Sequence, residues 1–272
     1  MAITAADINK LRQATGAGML DCRKALTESD GDFEAAIDWL RKQGQKVAAK
    51  RSDRDAKEGV VLAKTTADGK SGIVLCISCE TDFVSINPDF VSFAQSIMDA
   101  AIENNVKTVE ELNEVSIGNA KVSDLINDKL ASIGEKIGIS KFERIDAPFV
   151  ASYIHGTNRM GVLVGLTAEA AAAGKDVAMQ IAAMNPLGVD ESSLSPETIE
   201  REKNLAIEMI KAEGKPAEMA EKIAAGKMNK FFKDNTLMAQ AFVKDASQSV
   251  EGYLKSVQAD LKVTDFKRVA LG

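Results

Sequence analysis

Hydrophobic positions change their period several times along the chain, and each change predicts an element. From residue 4 to about 50 the spacing is helical. Ile8 and Leu11 with Ala14 or Thr15 form one stripe, Cys22, Ala25 and Leu26 a second, and Phe33, Ala36, Ile37 and Leu40 a third. Thr4 with Asp7 fits a capping box, Thr15-Gly16-Ala17-Gly18 breaks the first helix, and Asp32 after Asp30-Gly31 caps the third. So small a bundle buries little, which predicts a recognition module rather than a catalytic one.

The period then switches to that of strands. Residues 60–65 and 73–79 flank Asp68-Gly69, a turn pair suited to positive φ, and predict a β-hairpin. A helix from Pro88 to about Asn104 carries Phe90, Phe93, Ala94, Ile97 and Ala101 on one face. Another starts near Ser123, carries Ile126, Leu130 and Ile133, and ends at Gly134. The second half repeats this plan: a strand over 150–155, the polar turn Gly156-Thr157-Asn158-Arg159, and Gly161-Val162-Leu163-Val164-Gly165-Leu166, which matches Gly72-Ile73-Val74-Leu75-Cys76-Ile77. A helix with Val177, Ile181 and Met184 follows.

Ser195 and Pro196 open a predicted helical hairpin over 196–233. One seam is Ile199, Ala206, Met209 and Ile210; Gly214-Lys215-Pro216 reverses the chain; the other seam is Met219, Ile223, Ala224, Met228 and Phe231. A helix with Val250, Leu254 and Val257 and a strand near 263–269 close the chain. The expected fold class is α+β: a three-helix module and linker at 1–55, then a duplicated core with antiparallel sheets. Its halves are 56–144 and 145–272, the second carrying the antiparallel hairpin.

Composition narrows the function. With 45% hydrophobic and 27% charged residues, the 272-residue chain reads as soluble and globular. A net charge of -6 argues against a nucleic-acid backbone as main ligand, and 5% aromatics with one tryptophan argues against base stacking. An acidic surface suits a protein partner. The N-terminus has no signal-peptide pattern and no apolar run could span a bilayer, so neither membrane nor export is expected and the cytosol is. Arg41, Lys42, Lys46, Lys50, Arg51 and Arg54 read as a solvated helix end and linker, with an RNA-binding accessory role as the alternative. Gly16-Ala17-Gly18 follows no strand and is no dinucleotide loop. Cys76 and Cys79 could suggest redox or zinc chemistry, but three residues apart in a strand they face opposite ways, and Cys22 and His155 supply few further ligands. No cofactor or metal is expected.

One stretch resists a purely structural account. Glu80-Thr81-Asp82-Phe83-Val84 leaves the most apolar strand, and Asn87-Pro88 starts the next helix, so Phe83 sits on a short connection between two fixed elements. It either folds under that helix or is presented outward beside Asp82 as an apolar wedge. Spacing alone leaves both open.

Two motifs carry a resemblance. Leu11-Arg12-Gln13-Ala14-Thr15-Gly16-Ala17-Gly18-Met19-Leu20-Asp21-Cys22-Arg23-Lys24-Ala25-Leu26 and Cys79-Glu80-Thr81-Asp82-Phe83-Val84 closely resemble the two signatures of bacterial elongation factor Ts, and the likeness extends over essentially the whole chain. The resemblance implies a ubiquitin-associated-like N-terminal module and a guanine nucleotide exchange factor for elongation factor Tu, without covalent chemistry. It implies that Thr81, Asp82, Phe83 and Val84 dislodge the partner's magnesium ion, Phe83 by entering a pocket between helices and Asp82 by displacing a neighbouring helix. It further implies partner contacts at Arg12, Met19, Leu20 and Arg23 on the module and at Ile133, Gly134 and His155 on the core. His155, alone at a strand end, would otherwise read as structural. A homodimer or a 2:2 complex stays open. Ile86, Leu20 and Arg23 depart from the residues most often found in the family at those positions.

Overall fold

The computed structural model describes residues 3–51, 53–212 and 217–272, with the side chains of 45, 47–50 and 217–221 left aside. The first three helices are α1 (Ala5–Thr15), α2 (Met19–Glu28) and α3 (Phe33–Arg51). Thr4 and Asp7 form the expected capping box, and Gly16 ends α1 at φ 70°. Leu11, Cys22, Ala25, Leu26 and Ala36 are the buried centre of the module.

The first half of the core comprises β1 (Glu58–Thr65), β2 (Ser71–Cys79), α4 (Asp82–Ser85), α5 (Pro88–Glu103), α6 (Val109–Glu114), β3 (Ser116–Ile117), β4 (Ala120–Lys121), α7 (Val122–Ile133) and β5 (Gly138–Asp146). The second comprises β6 (Phe149–His155), β7 (Met160–Leu166), α8 (Ala171–Met184), α9 (Pro196–Ala212), α10 (Ala217–Asn235), β8 (Ala241–Phe242), β9 (Asp245–Ser249), α11 (Val250–Val257) and β10 (Val263–Ala270). Their antiparallel sheets have the same plan: β1-β2-β5 and β6-β7-β10, each a hairpin whose second strand takes the late strand on its far side.

The two sheets lie face to face. Val61, Val74, Cys76 and Ile145 of the first meet Val150, Leu163 and Val269 of the second. On the outer face of β1-β2-β5, Val60, Leu62, Ile73, Leu75 and Ile77 pack against Phe90, Ala94 and Ile97 of α5 and Ile126 and Leu130 of α7. On the other side, Val162, Val164 and Leu166 pack against Val177 and Ile181 of α8 and Val250 and Leu254 of α11. β2 and β7 are thus covered on both faces, so both read as unbroken apolar runs.

Glycine makes the close approach geometrically reciprocal. A methyl group on Gly161 of β7 would lie 2.8 Å from Val74 Cγ2 of β2, and one on Gly72 of β2 would lie 2.9 Å from Leu163 Cδ2 of β7. These are matched positions of the repeat, each leaving room for the other half's side chain.

Several expectations shift. The boundary expected at 144 cuts through β5, where Ile145 and Asp146 still pair with Gly72 and Ser71. That strand is not legible from period 2, because a register shift between Cys76 and Ile77 leaves Ser140 without a pairing partner and brings Ile139 and Phe142 to the same core. Met184, Met209 and Val257, expected on buried faces, are exposed. α9 and α10 pack through Ala206, Ile210 and Ala224. α10 runs to Asn235, beyond the expected end of the hairpin. The strands of chain leading in and out bond at Leu187 to Asn235 and at Gly188 and Val189 to Leu237 and Met238. The reversal at 214–216 and the Met219 side chain lie outside the described residues. Among those residues, no helix is long and apolar enough to cross a membrane.

Candidate functional site

β2 delivers the chain to the surface at Glu80, and there the structure departs from a simple loop. Asp82 to Ser85 close one helical turn, α4, with Thr81 as its N-cap and Asn87 capping the next helix by accepting from Asp89 N–H. Val84 packs against the first core cluster and Ser85 is buried, which anchors the inner side of the turn. Asp82 and Phe83 are left outside: Phe83 is 79% exposed, with exposed Ile86 three residues on along the same face. Of the two readings left open above, the ring is therefore outward.

The turn is held from beneath by two carboxylates. Glu135 Oε2 accepts from the backbone N–H groups of Glu80 and Thr81, both at 3.1 Å, and its Oε1 accepts from the Thr81 hydroxyl at 2.7 Å. Glu80 answers across the gap: its Oε1 accepts from Lys136 N–H at 2.7 Å and from Arg51 at 2.9 Å, and its Oε2 from Arg54 at 3.0 Å. Sequence reasoning does not single out Glu135, and it reads Arg51 and Arg54 as a solvated helix end and linker or an RNA-binding stretch, not as partners of Glu80, because the pairs join residues up to 56 positions apart.

Those hydrogen bonds hold the Glu80 carboxyl down at about 2, the Lys136 N–H contributing most and Arg54 and Arg51 next, against an opposing effect of burial. Its side chain is only 17% exposed, so the shift from 4.5 corresponds to about 3 kcal/mol. Because the folded value lies below the unfolded one, this stabilisation is complete above about pH 4.5 and disappears as pH falls toward 2. Urea unfolding of the wild type and of Glu80→Gln should show a stability gap that narrows by about 2 kcal/mol between pH 5 and 3. A gap independent of pH would mean the carboxylate is not held as drawn.

The other expected positions fall on surrounding surfaces. Gly134 ends α7 in the left-handed conformation, with φ 79°, donating to Leu130, and neighbouring Ile133, expected on the helix's inner face, is exposed. The clamp brings this corner against the turn, since Glu135 and Lys136 follow directly. His155, exposed at the end of β6, has its Nδ1 3.0 Å from the Tyr153 hydroxyl. The turn after it is tied to β1: Asn158 C=O accepts from Val61 N–H at 2.7 Å, and Arg159 pairs at 3.0 Å with Glu58, the partner of Cys79. His155 is thus at the end of the core from which the Phe83 turn projects. Arg12, Met19, Leu20 and Arg23 are all exposed, Leu20 by 81%, on a module whose α3 packs along α7.

The basic stretch is partly committed within the molecule. Arg51 and Arg54 hold Glu80, and Arg41 lies 3.9 Å from Asp128 of α7. Lys50 is among the residues whose side chains are not described. This internal use favours the structural reading over an RNA surface. Cys76 and Cys79 do face different cores, the inter-sheet cluster and the α5/α7 cluster. Burial, with the Glu135 carboxylate adding to it, pushes the Cys79 thiol up to about 12, far from a reactive thiolate.

Comparison with known proteins agrees along the chain. The sequence model of the family described as elongation factor TS matches residues 80–272. Elongation factor Ts of Christiangramia forsetii is 48% identical over 273 residues, covering 99% of both chains, and that of Flavobacterium psychrophilum is 49% identical over the same extent. Elongation factor Ts of Methylococcus capsulatus is 44% identical over 276 residues, which span this whole chain and 93% of its own. Identity of this depth over the full length makes the chain a member of the elongation factor Ts family of translation elongation factors.

Proposed function

We propose that this chain is a guanine nucleotide exchange factor for elongation factor Tu, acting in the cytoplasm during translation elongation and performing no covalent chemistry. It binds the GDP-loaded GTPase, displaces Mg2+ with residues 81–84, and releases GDP so that GTP can enter. The observation that carries this reading is Phe83, held outward on an anchored turn beside an acidic residue. Phe83 and the exposed Ile86 beside it make a small apolar patch on a fixed support, a surface suited to a protein partner.

In a GTPase, Mg2+ bridges the phosphates and holds the switch loops, which collapse when it leaves. A factor that binds the nucleotide-free partner more tightly than the loaded one must weaken nucleotide binding by the same factor. Burying one phenylalanine contributes about 1.5–3 kcal/mol, or roughly one to two powers of ten. Further contacts at Arg12, Met19, Leu20 and Arg23 and at Ile133, Gly134 and His155 supply the rest. The proposed units are a ubiquitin-associated-like module at 1–55 and two core halves, with α9 and α10 as an inserted antiparallel hairpin. Membranes and nucleic acids have no part in this reading.

The test is release of fluorescently labelled GDP from elongation factor Tu. Substoichiometric amounts of this chain should accelerate release many-fold, and a rate equal to spontaneous dissociation would refute the proposal.

A further inference from the structure

We infer that Glu80 and Glu135 are positioning residues for nucleotide exchange, which set the direction of the Phe83 turn and tie it both to the Ile133 and Gly134 corner and to the end of α3. The inference rests on the exchange reading above and adds what makes the exposed ring effective.

The four residues of α4 have no helical stability of their own, since one turn fixes more backbone than its hydrogen bonds repay. Something outside the turn must orient it. Thr81, the N-cap, makes no side-chain bond to α4; its hydroxyl donates to Glu135. The cap side chain is therefore oriented by the core, and the turn is joined through the Thr81 carbonyl, which accepts from Ser85 N–H. Both donors of Thr81 and the N–H before it converge on one carboxylate, which as an anion accepts all three.

Glu80 closes the arrangement in the opposite sense. Its acceptance from Lys136 N–H locks the chain that follows Gly134, and its bonds to Arg51 and Arg54 reach the end of α3 and the residues beyond it. Three surfaces, the ring, the α7 corner and the α3-bearing module, thus share one anchor. Contacts that are fixed relative to one another engage a partner together, whereas loosely joined ones lose their combined effect.

The experiment compares wild type, Glu135→Gln, Phe83→Ala and the double variant in a titration of stimulated GDP release. Glutamine keeps the shape but offers one acceptor oxygen, and turns an N–H toward donors. Glu135→Gln should lower the maximal release rate by about tenfold and leave the half-saturating concentration within about twofold. Added to Phe83→Ala it should cost clearly less than it does in the wild type, because the residue it chiefly orients is gone. Losses that multiply in the double variant, or a wild-type rate in the single one, overturn the inference. Amide hydrogen exchange of the free chain gives a readout independent of the partner. Amides of 80–86 should exchange at least about tenfold faster in Glu135→Gln while those of β2 at 73–77 stay protected, and unchanged protection at 80–86 also overturns it. If wild type does not accelerate GDP release, the exchange reading fails and the amide result alone decides whether the clamp orients the turn. Thr81→Val, which removes only the hydroxyl bond, repeats the test should Glu135→Gln fail to fold.

Discussion

Phe83→Ala lowers the efficiency of GDP release by about ten- to a hundredfold and leaves the melting temperature of the free chain within about 1 °C of wild type. The two halves of this expectation have the same origin. A ring that is 79% exposed contributes little to its own fold, so removing it creates no cavity. In the proposed function its burial comes only in the complex, so the lost free energy would fall on binding the nucleotide-free state. Stopped-flow release measurements and a thermal melt on the same preparation test it. A large drop in melting temperature would mean the ring packs at home, and an unchanged release rate would mean that it enters no pocket.

Gly161→Val, by contrast, should lower stability by about 3 kcal/mol and the melting temperature by about 6–10 °C, with any loss of exchange following from unfolding. Gly161 has no unusual backbone dihedral, so space is what demands the glycine. Already the first added carbon would sit 2.8 Å from Val74 Cγ2 and 3.1 Å from Val61 Cγ1, both in the opposing sheet. Two further methyl groups cannot fit without parting the sheets. Calorimetry of Gly161→Val beside Gly138→Ala is the measurement, since a methyl at Gly138 meets nothing within 4 Å. Equal melting temperatures for the two would rule out the face-to-face packing.

The same contrast between local and distant causes separates what was legible from what was not. Helices were read from repeats such as Phe90, Ala94, Ile97 and Ala101, and their ends from Gly16, Asn87-Pro88 and Gly134, because capping and periodicity act within one or two turns. The β1/β2 and β6/β7 hairpins followed from short apolar runs and the turn residues between them over a dozen or so positions. β5 escaped because its bulge breaks the alternation, and α6, β3, β4, β8 and β9 escaped because elements of two to six residues carry too little pattern. For the site, the motif marked residues 81–84 and the module patch, but no spacing rule linked Glu80 to Arg51 or Thr81 to Glu135.

By itself the sequence determined the inventory: an α+β chain with a repeated hairpin, two inserted or appended helical pieces, an acidic surface and the motif that names its family. Only the tertiary structure decided that the two repeats stack their sheets, that Phe83 points to solvent, and that a crossed pair of carboxylates holds it there. The reason is physical. Local order depends on neighbours a few bonds away, whereas the exposure of a side chain and the partner of a charge depend on which remote segments the hydrophobic core brings together.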